Sequence, residues 1–211
     1  MRGRRVSREP DLSRAETTDW AIGRVTIPAM QMGPNVEGAT YRHPRMIWER
    51  YSHFRACCIL DERGATEAEM GRQEIVLAAL STGGGYAFRP VQVQKLFFLI
   101  DREIPDEVGG PHFHFKAYDY GPFDPEVYTE LELLEIQGLA EIIGGAGTWR
   151  VYKLTGDGLE KGEALFAELS ERARAYIREA SDFVRQHSFS SLVKAIYKAY
   201  PEMRKNSVFQ D

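Results

Sequence analysis

Cysteine is nearly absent from this 211-residue chain: there are two, Cys57 and Cys58, side by side. Neighbouring cysteines close a disulfide only through a strained ring, so reduced thiols and a reducing compartment are expected. No apolar run approaches the roughly 20 residues that a membrane-spanning helix needs. The basic start, Met1-Arg2-Gly3-Arg4-Arg5, is followed by polar residues over 7–14 rather than by the apolar segment of a secretory signal, so a cytoplasmic protein is expected. A net charge of −4 provides no general excess of cations for a nucleic-acid backbone. Gly83-Gly84-Gly85 lacks the Gly-Lys-Ser/Thr ending of a phosphate-cradling loop and reads as a helix stop. No His-Glu-x-x-His, Ser-His-Asp order or carboxylate pair stands out, so no enzyme and no cofactor are expected. With 43% hydrophobic residues, the chain still has ample material for a packed core.

What is present falls into two unlike parts. Residues 1–69 hold 11 Arg, no Lys and 10 acidic residues; residues 70–211 hold 9 Arg, 7 Lys and 21 acidic residues. The first part lacks sustained periodicity. Pro28, Gly33, Pro34 and Gly38 mark 26–38 as loop, and only 45–60 has helical spacing, with Ile47, Trp48, Tyr51, Phe54 and Cys58. Two readings stand. One is an arm that docks on a partner through Trp48, Tyr51 and Phe54. The other, preferred, is a poorly ordered Arg-rich leader that contributes little. In the sharpest form of the second, translation begins at Met70.

From residue 70 the pattern is regular. Ile75, Val76, Ala79 and Leu80 mark one face of a helix over 71–81. Pro90 opens a second helix, running to about Glu103 and stopped by Pro105. Val93, Leu96, Phe97 and Ile100 form its stripe, with Gln92, Gln94 and Lys95 mostly off it. The alternation over 112–118 predicts a short strand with His112 and His114 on one face. Two histidines could begin a metal site, but no Cys lies nearby and no third ligand has the spacing. A partly exposed strand face opposite Phe113 and Phe115 is the reading, with no metal.

Tyr118-Asp119-Tyr120-Gly121-Pro122-Phe123 is the most distinctive segment. Gly-Pro reads as a rigid bend, Asp124 as a cap and Pro125 as the first residue of a third helix over 125–137, with Val127, Leu131 and Leu134 inward. Strands over 139–143 and 149–154 flank a glycine-rich turn, and Thr155 caps the helix after them. Three helices and then a two-stranded wing is the order of a winged helix-turn-helix. A long helical region comes next, through Phe166, Leu169, Ala173, Tyr176, Ile177, Ala180, Phe183 and Val184. Ser188 caps a last helix that ends at Pro201. These C-terminal helices either pack back on the winged domain, the preferred reading, or form a homodimer seam. The predicted architecture is mostly α with a small β-hairpin: a leader over 1–69, a winged-helix-like domain over 70–165 and a helical extension over 166–211.

Gln94-Lys95-Leu96, the segment from Tyr118 to Phe123 leading into Pro125-Glu126-Val127-Tyr128, and Tyr152-Lys153-Leu154-Thr155 with Gly158 together resemble the Panacea, or SocA-like, antitoxin-domain proteins and their uncharacterised bacterial relatives. The resemblance covers about residues 71–165. It implies a domain that neutralises or adapts a partner protein, a toxin or a regulated protein, with Gln94, Lys95, Tyr118, Asp119, Tyr120, Gly121, Pro122 and Phe123 as its motif residues.

A winged helix also suggests DNA, which makes a transcriptional regulator the alternative. The third helix would be the recognition helix, yet it carries Glu126, Glu130, Glu132 and Glu135 and no cation, and phosphate contacts require cations. The wing offers only Arg150 and Lys153, so DNA would need another surface, such as Arg89, Lys95 and Arg102 or the Arg-rich leader. Of the polar residues weighed for catalysis, His112, His114, Asp119 and Asp124, Asp119 reads as a turn residue.

Overall fold

The computed structural model describes residues 18–20, 25–27, 70–144 and 150–210. They fall in two compact units. One contains the antiparallel pair β1 (Thr18–Trp20) and β2 (Val25–Ile27), with Thr18 opposite Ile27. This pairing corrects the reading of residues 26 and 27 as loop, while 28–38 lie outside the described residues; Trp20, Val25 and Ile27 are residue types that suit strands. The leader helix expected over 45–60, the turn residues 145–147 and Trp149 lie outside the described residues.

Among the described residues of the other unit the first helix is α1 (Arg72–Ser81), where the Glu74 carboxylate accepts the Gly71 N–H at 2.7 Å. Every residue from Ile75 to Ser81 is buried, a wider surface than the single expected face. The cause is α5 (Gly156–Glu168), packed closely along α1. A Cβ at Gly162 would lie 2.6 Å from the Leu77 carbonyl oxygen, so only glycine permits this approach. The Thr155 hydroxyl accepts the Gly158 N–H at 3.1 Å and donates to Gly138, joining the start of α5 to the end of the third long helix.

Helix α2 (Pro90–Glu103) starts as expected, with the Gln92 amide oxygen accepting the Arg89 N–H at 2.8 Å. Its burial does not follow a stripe. All residues from Gln92 to Ile100 are buried, Gln92, Gln94 and Lys95 included. The polar side of α2 is covered because other elements supply partners for it, as at Gln92, whose Nε2 donates to the Val184 carbonyl at 3.1 Å. Pro105 ends α2 and opens the one-turn α3 (Pro105–Val108).

The strand expected over 112–118 is shorter, β3 (Lys116–Tyr118). Carboxylates satisfy the backbone before it. Asp101 accepts the N–H groups of His112 at 3.1 Å and Phe113 at 2.8 Å, and Asp124 accepts that of His114. Burial raises the Asp101 carboxyl, and these two donors pull it back. His112 is buried with Nε2 at 2.9 Å from the Val108 carbonyl, whereas His114 is exposed. The two histidines therefore share no face. Across a two-residue loop, Asp119 and Tyr120, β3 pairs with β4 (Gly121–Phe123), Lys116 opposite Phe123 and Tyr118 opposite Gly121. The predicted Gly-Pro bend is thus the return strand of a second hairpin.

Asp124 Oδ1 accepts the Glu126 N–H at 2.9 Å at the start of α4 (Glu126–Ile136), whose Val127, Leu131 and Leu134 are buried. The hairpin β5 (Ala140–Ile143) and β6 (Val151–Leu154) comes next, with Ala140 opposite Leu154. Phe88 adds a bridge to it, exchanging both backbone bonds with Tyr152 at 2.8 and 2.9 Å. The long C-terminal helical region is divided. Ser170 accepts the Ala173 N–H at 3.1 Å and starts α6 (Glu171–Gln186); Ser188 caps α7 (Phe189–Ala199), and a 3-10 turn (Pro201–Arg204) comes after it. The apolar stripe of α6 lies on α2, where the Tyr176 hydroxyl reaches the Leu99 carbonyl at 3.4 Å. The extension packs back and shares one core with residues 75–154. The described residues are mostly helical, with small antiparallel hairpins, and none of their helices is long and apolar enough to cross a membrane.

Candidate functional site, a clamped aromatic hairpin

The motif residues come together at the β3–β4 hairpin. Successive residues of α2 face it. The Gln94 amide reads both backbone groups of Asp124, donating from Nε2 to the carbonyl at 2.9 Å and accepting the N–H through Oε1 at 3.0 Å. Lys95 donates from Nζ to the Pro122 carbonyl at 2.9 Å. Its side chain is 3% exposed, and burial pushes the amine down to about 7. Gly121 allows the lysine to sit there. Its φ is +98°, and a Cβ would lie 3.3 Å from the Tyr197 ring and 3.4 Å from Lys95 Nζ. Gln94 and Lys95, both expected off the apolar stripe, are thus structural ties, which corrects two sequence readings. Gln94 presents no surface to a partner, and Lys95 is removed from the nucleic-acid candidates because its ammonium is sealed against the hairpin.

The C-terminal segment covers the other side. Asn206 Nδ2 donates to the Ala117 carbonyl at 2.9 Å, and the Val208 N–H donates to the Asp119 carbonyl at 3.0 Å. Ser207 Oγ lies 2.7 Å from the Tyr197 hydroxyl and donates to the Asp119 carbonyl at 3.3 Å. No local signal foretells these residues, because their partners lie 88 and 89 residues away along the chain.

The aromatic side chains of the motif form a row. Tyr118 lies 5.1 Å from Phe123, Phe123 5.9 Å from Tyr128, and Tyr128 stacks on Tyr152 at 5.7 Å. Tyr120 turns away and meets the edge of Phe189 at 5.1 Å. Burial raises the phenols of Tyr120, Tyr128 and Tyr152, the last to about 12, so each stays neutral near pH 7. Neutral phenols offer hydrogen bonds and ring surface. Tyr118 is 42% exposed and is the ring that the hairpin shows to solvent.

The remaining cations do not form one clear stripe. Arg102 pairs with Glu202 at 3.4 Å and Arg150 with Glu132 at 3.6 Å. Arg72 takes up Glu126 at 3.2 Å and Glu130 at 3.7 Å, so part of the acidity of α4 is balanced within the fold. Arg89 is exposed and Lys153 half-buried, on the two segments joined by the bridge from Phe88 to Tyr152. Among the described residues no group of three His, Cys, Asp or Glu is placed to hold a metal. Comparison with models of known protein families gives no match to this chain, and comparison with curated proteins gives none.

Proposed function

We propose that the chain is a non-catalytic cytoplasmic interaction module of the antitoxin or adaptor type, built on a winged-helix-like domain, which binds a partner protein through the β3–β4 hairpin. The observation that carries this reading is the clamp. Buried bonds from Gln94 and Lys95 hold a short aromatic hairpin in one conformation and leave Tyr118 at the surface beside Phe123. A rigid exposed aromatic is suited to anchoring an interface, since little conformational freedom is lost on binding. The winged-helix part rests on the order α1, Phe88, α2, α4, β5, β6, with Phe88 bridging to Tyr152 as a third short strand would.

That same order favours the second reading, a DNA-binding regulator. Against it, α4 carries four glutamates and no cation, and backbone contacts need positive charge. The test pairs a pull-down from source-cell lysate with a low-salt gel shift, using wild type and Tyr118→Ser. A protein retained by the wild type and lost by Tyr118→Ser is the expected result. Tight, sequence-specific duplex binding with no retained protein would replace this reading with the regulator.

A further inference from the structure

We infer that the outer edge of β3 is a peptide-binding edge, occupied in cis by residues 206–209, and that a partner engages by laying an extended segment in their place. The inference rests on the partner-binding reading above and specifies how the partner is held. Tyr118 and Gly121 flank the two-residue loop, so their backbone groups face each other. On the other side the carbonyls of Ala117, in β3, and of Asp119, in the loop, both accept from the C-terminal segment. Ala117 also has Pro122 as its register partner, which has no N–H to offer. The result is a surface with two backbone acceptors, one on β3 and one in the loop that follows it.

The tail supplies one side-chain donor and one main-chain donor to this surface. Asn206 Nδ2 takes the Ala117 carbonyl and the Val208 N–H takes the Asp119 carbonyl, while Phe209 lies 6.3 Å from the Phe189 ring and 6.0 Å from the Lys194 ammonium. Val208 is itself 56% exposed. Strand addition takes affinity from main-chain bonds and specificity from pockets for particular side chains. The partner segment therefore has a side-chain amide, a small residue, a residue with a free N–H and then an aromatic. The opposite strand, β4, offers no such edge, because Lys95 already holds the Pro122 carbonyl.

The test uses the full chain and a synthetic peptide of residues 204–210, tracked by the backbone amide shifts of residues 116–120 up to several millimolar peptide. Wild type is compared with Asn206→Ala/Val208→Pro, which removes both donors, and with Asn206→Ala alone, which keeps the backbone donor. A tethered tail competes at roughly millimolar effective concentration. The double variant should give saturable shifts at least tenfold tighter than wild type, with Asn206→Ala between them, and a peptide carrying Phe209→Ala should bind several-fold more weakly. Equal shifts in all three proteins, or none in either variant, would overturn the inference. Because no partner is used, that failure would leave the partner-binding reading to be decided by the pull-down.

Discussion

Lys95 is the residue whose chemistry depends most on its surroundings. An amine with an ordinary value of 10.5 is held at about 7 by burial. Between those two values the unfolded chain binds more protons than the folded one, so unfolding free energy rises with pH across that window. The slope from this group is at most about 1.4 kcal/mol per pH unit. Lys95→Met should remove that contribution, seen as a flatter dependence of denaturant-measured stability from pH 7 to 10, at a cost of about 1 kcal/mol at the alkaline end for the lost bond to Pro122. An unchanged slope would show that the amine is not desolvated. Gly121 is the second such residue. At φ +98° a β-branched side chain is strained, and its Cβ meets Tyr197 and Lys95. Gly121→Val should cost about 1–3 kcal/mol, and thermal unfolding would measure it. Gln94 and Lys95 are legible in the sequence as part of a motif, but not as buried groups, because helical periodicity counts polar side chains as outward.

Elements are more legible than residues. Pro90, Thr155 and Ser188 start the helices they are expected to start, because a fixed φ or a capping oxygen acts within one turn. The β5–β6 hairpin is also local, an alternation of buried Ala140, Tyr152 and Leu154 with outward neighbours. The β3–β4 hairpin is not legible, because its strands have three residues each, too short for a period to declare itself. Two predictions belong at this scale. Gly162→Val should separate α1 from α5 and cost about 1–3 kcal/mol or more, the range for overpacking, measured by urea unfolding. On α4, Glu126, Glu130 and Glu132 changed together to Gln should raise weak duplex binding at low salt, both by removing negative charge and by releasing Arg72 and Arg150. The gain should fade as salt screens it. Sequence-specific binding that this variant loses would favour the regulator.

The two-sided burial of α2 sets the scale of the whole second unit. Nine consecutive residues, from Gln92 to Ile100, are buried, and α6 covers part of that surface. A chain ending before Ser170 should therefore lose cooperative unfolding, read by near-ultraviolet circular dichroism, since the apolar surface of α2 would face water. A truncated chain with a sharp native-like transition would show the extension to be dispensable. The amino-acid sequence alone determined the helix starts at Pro90, Thr155 and Ser188, the β5–β6 hairpin and the apolar stripe of the C-terminal helices, because periods, caps and turn residues act over a few positions. Tertiary structure decided which polar side chains are buried, where that stripe docks and what covers the hairpin. Gln92 bonds to a residue 92 positions away and Asn206 to one 89 away, and only the packed chain brings such groups within hydrogen-bond distance.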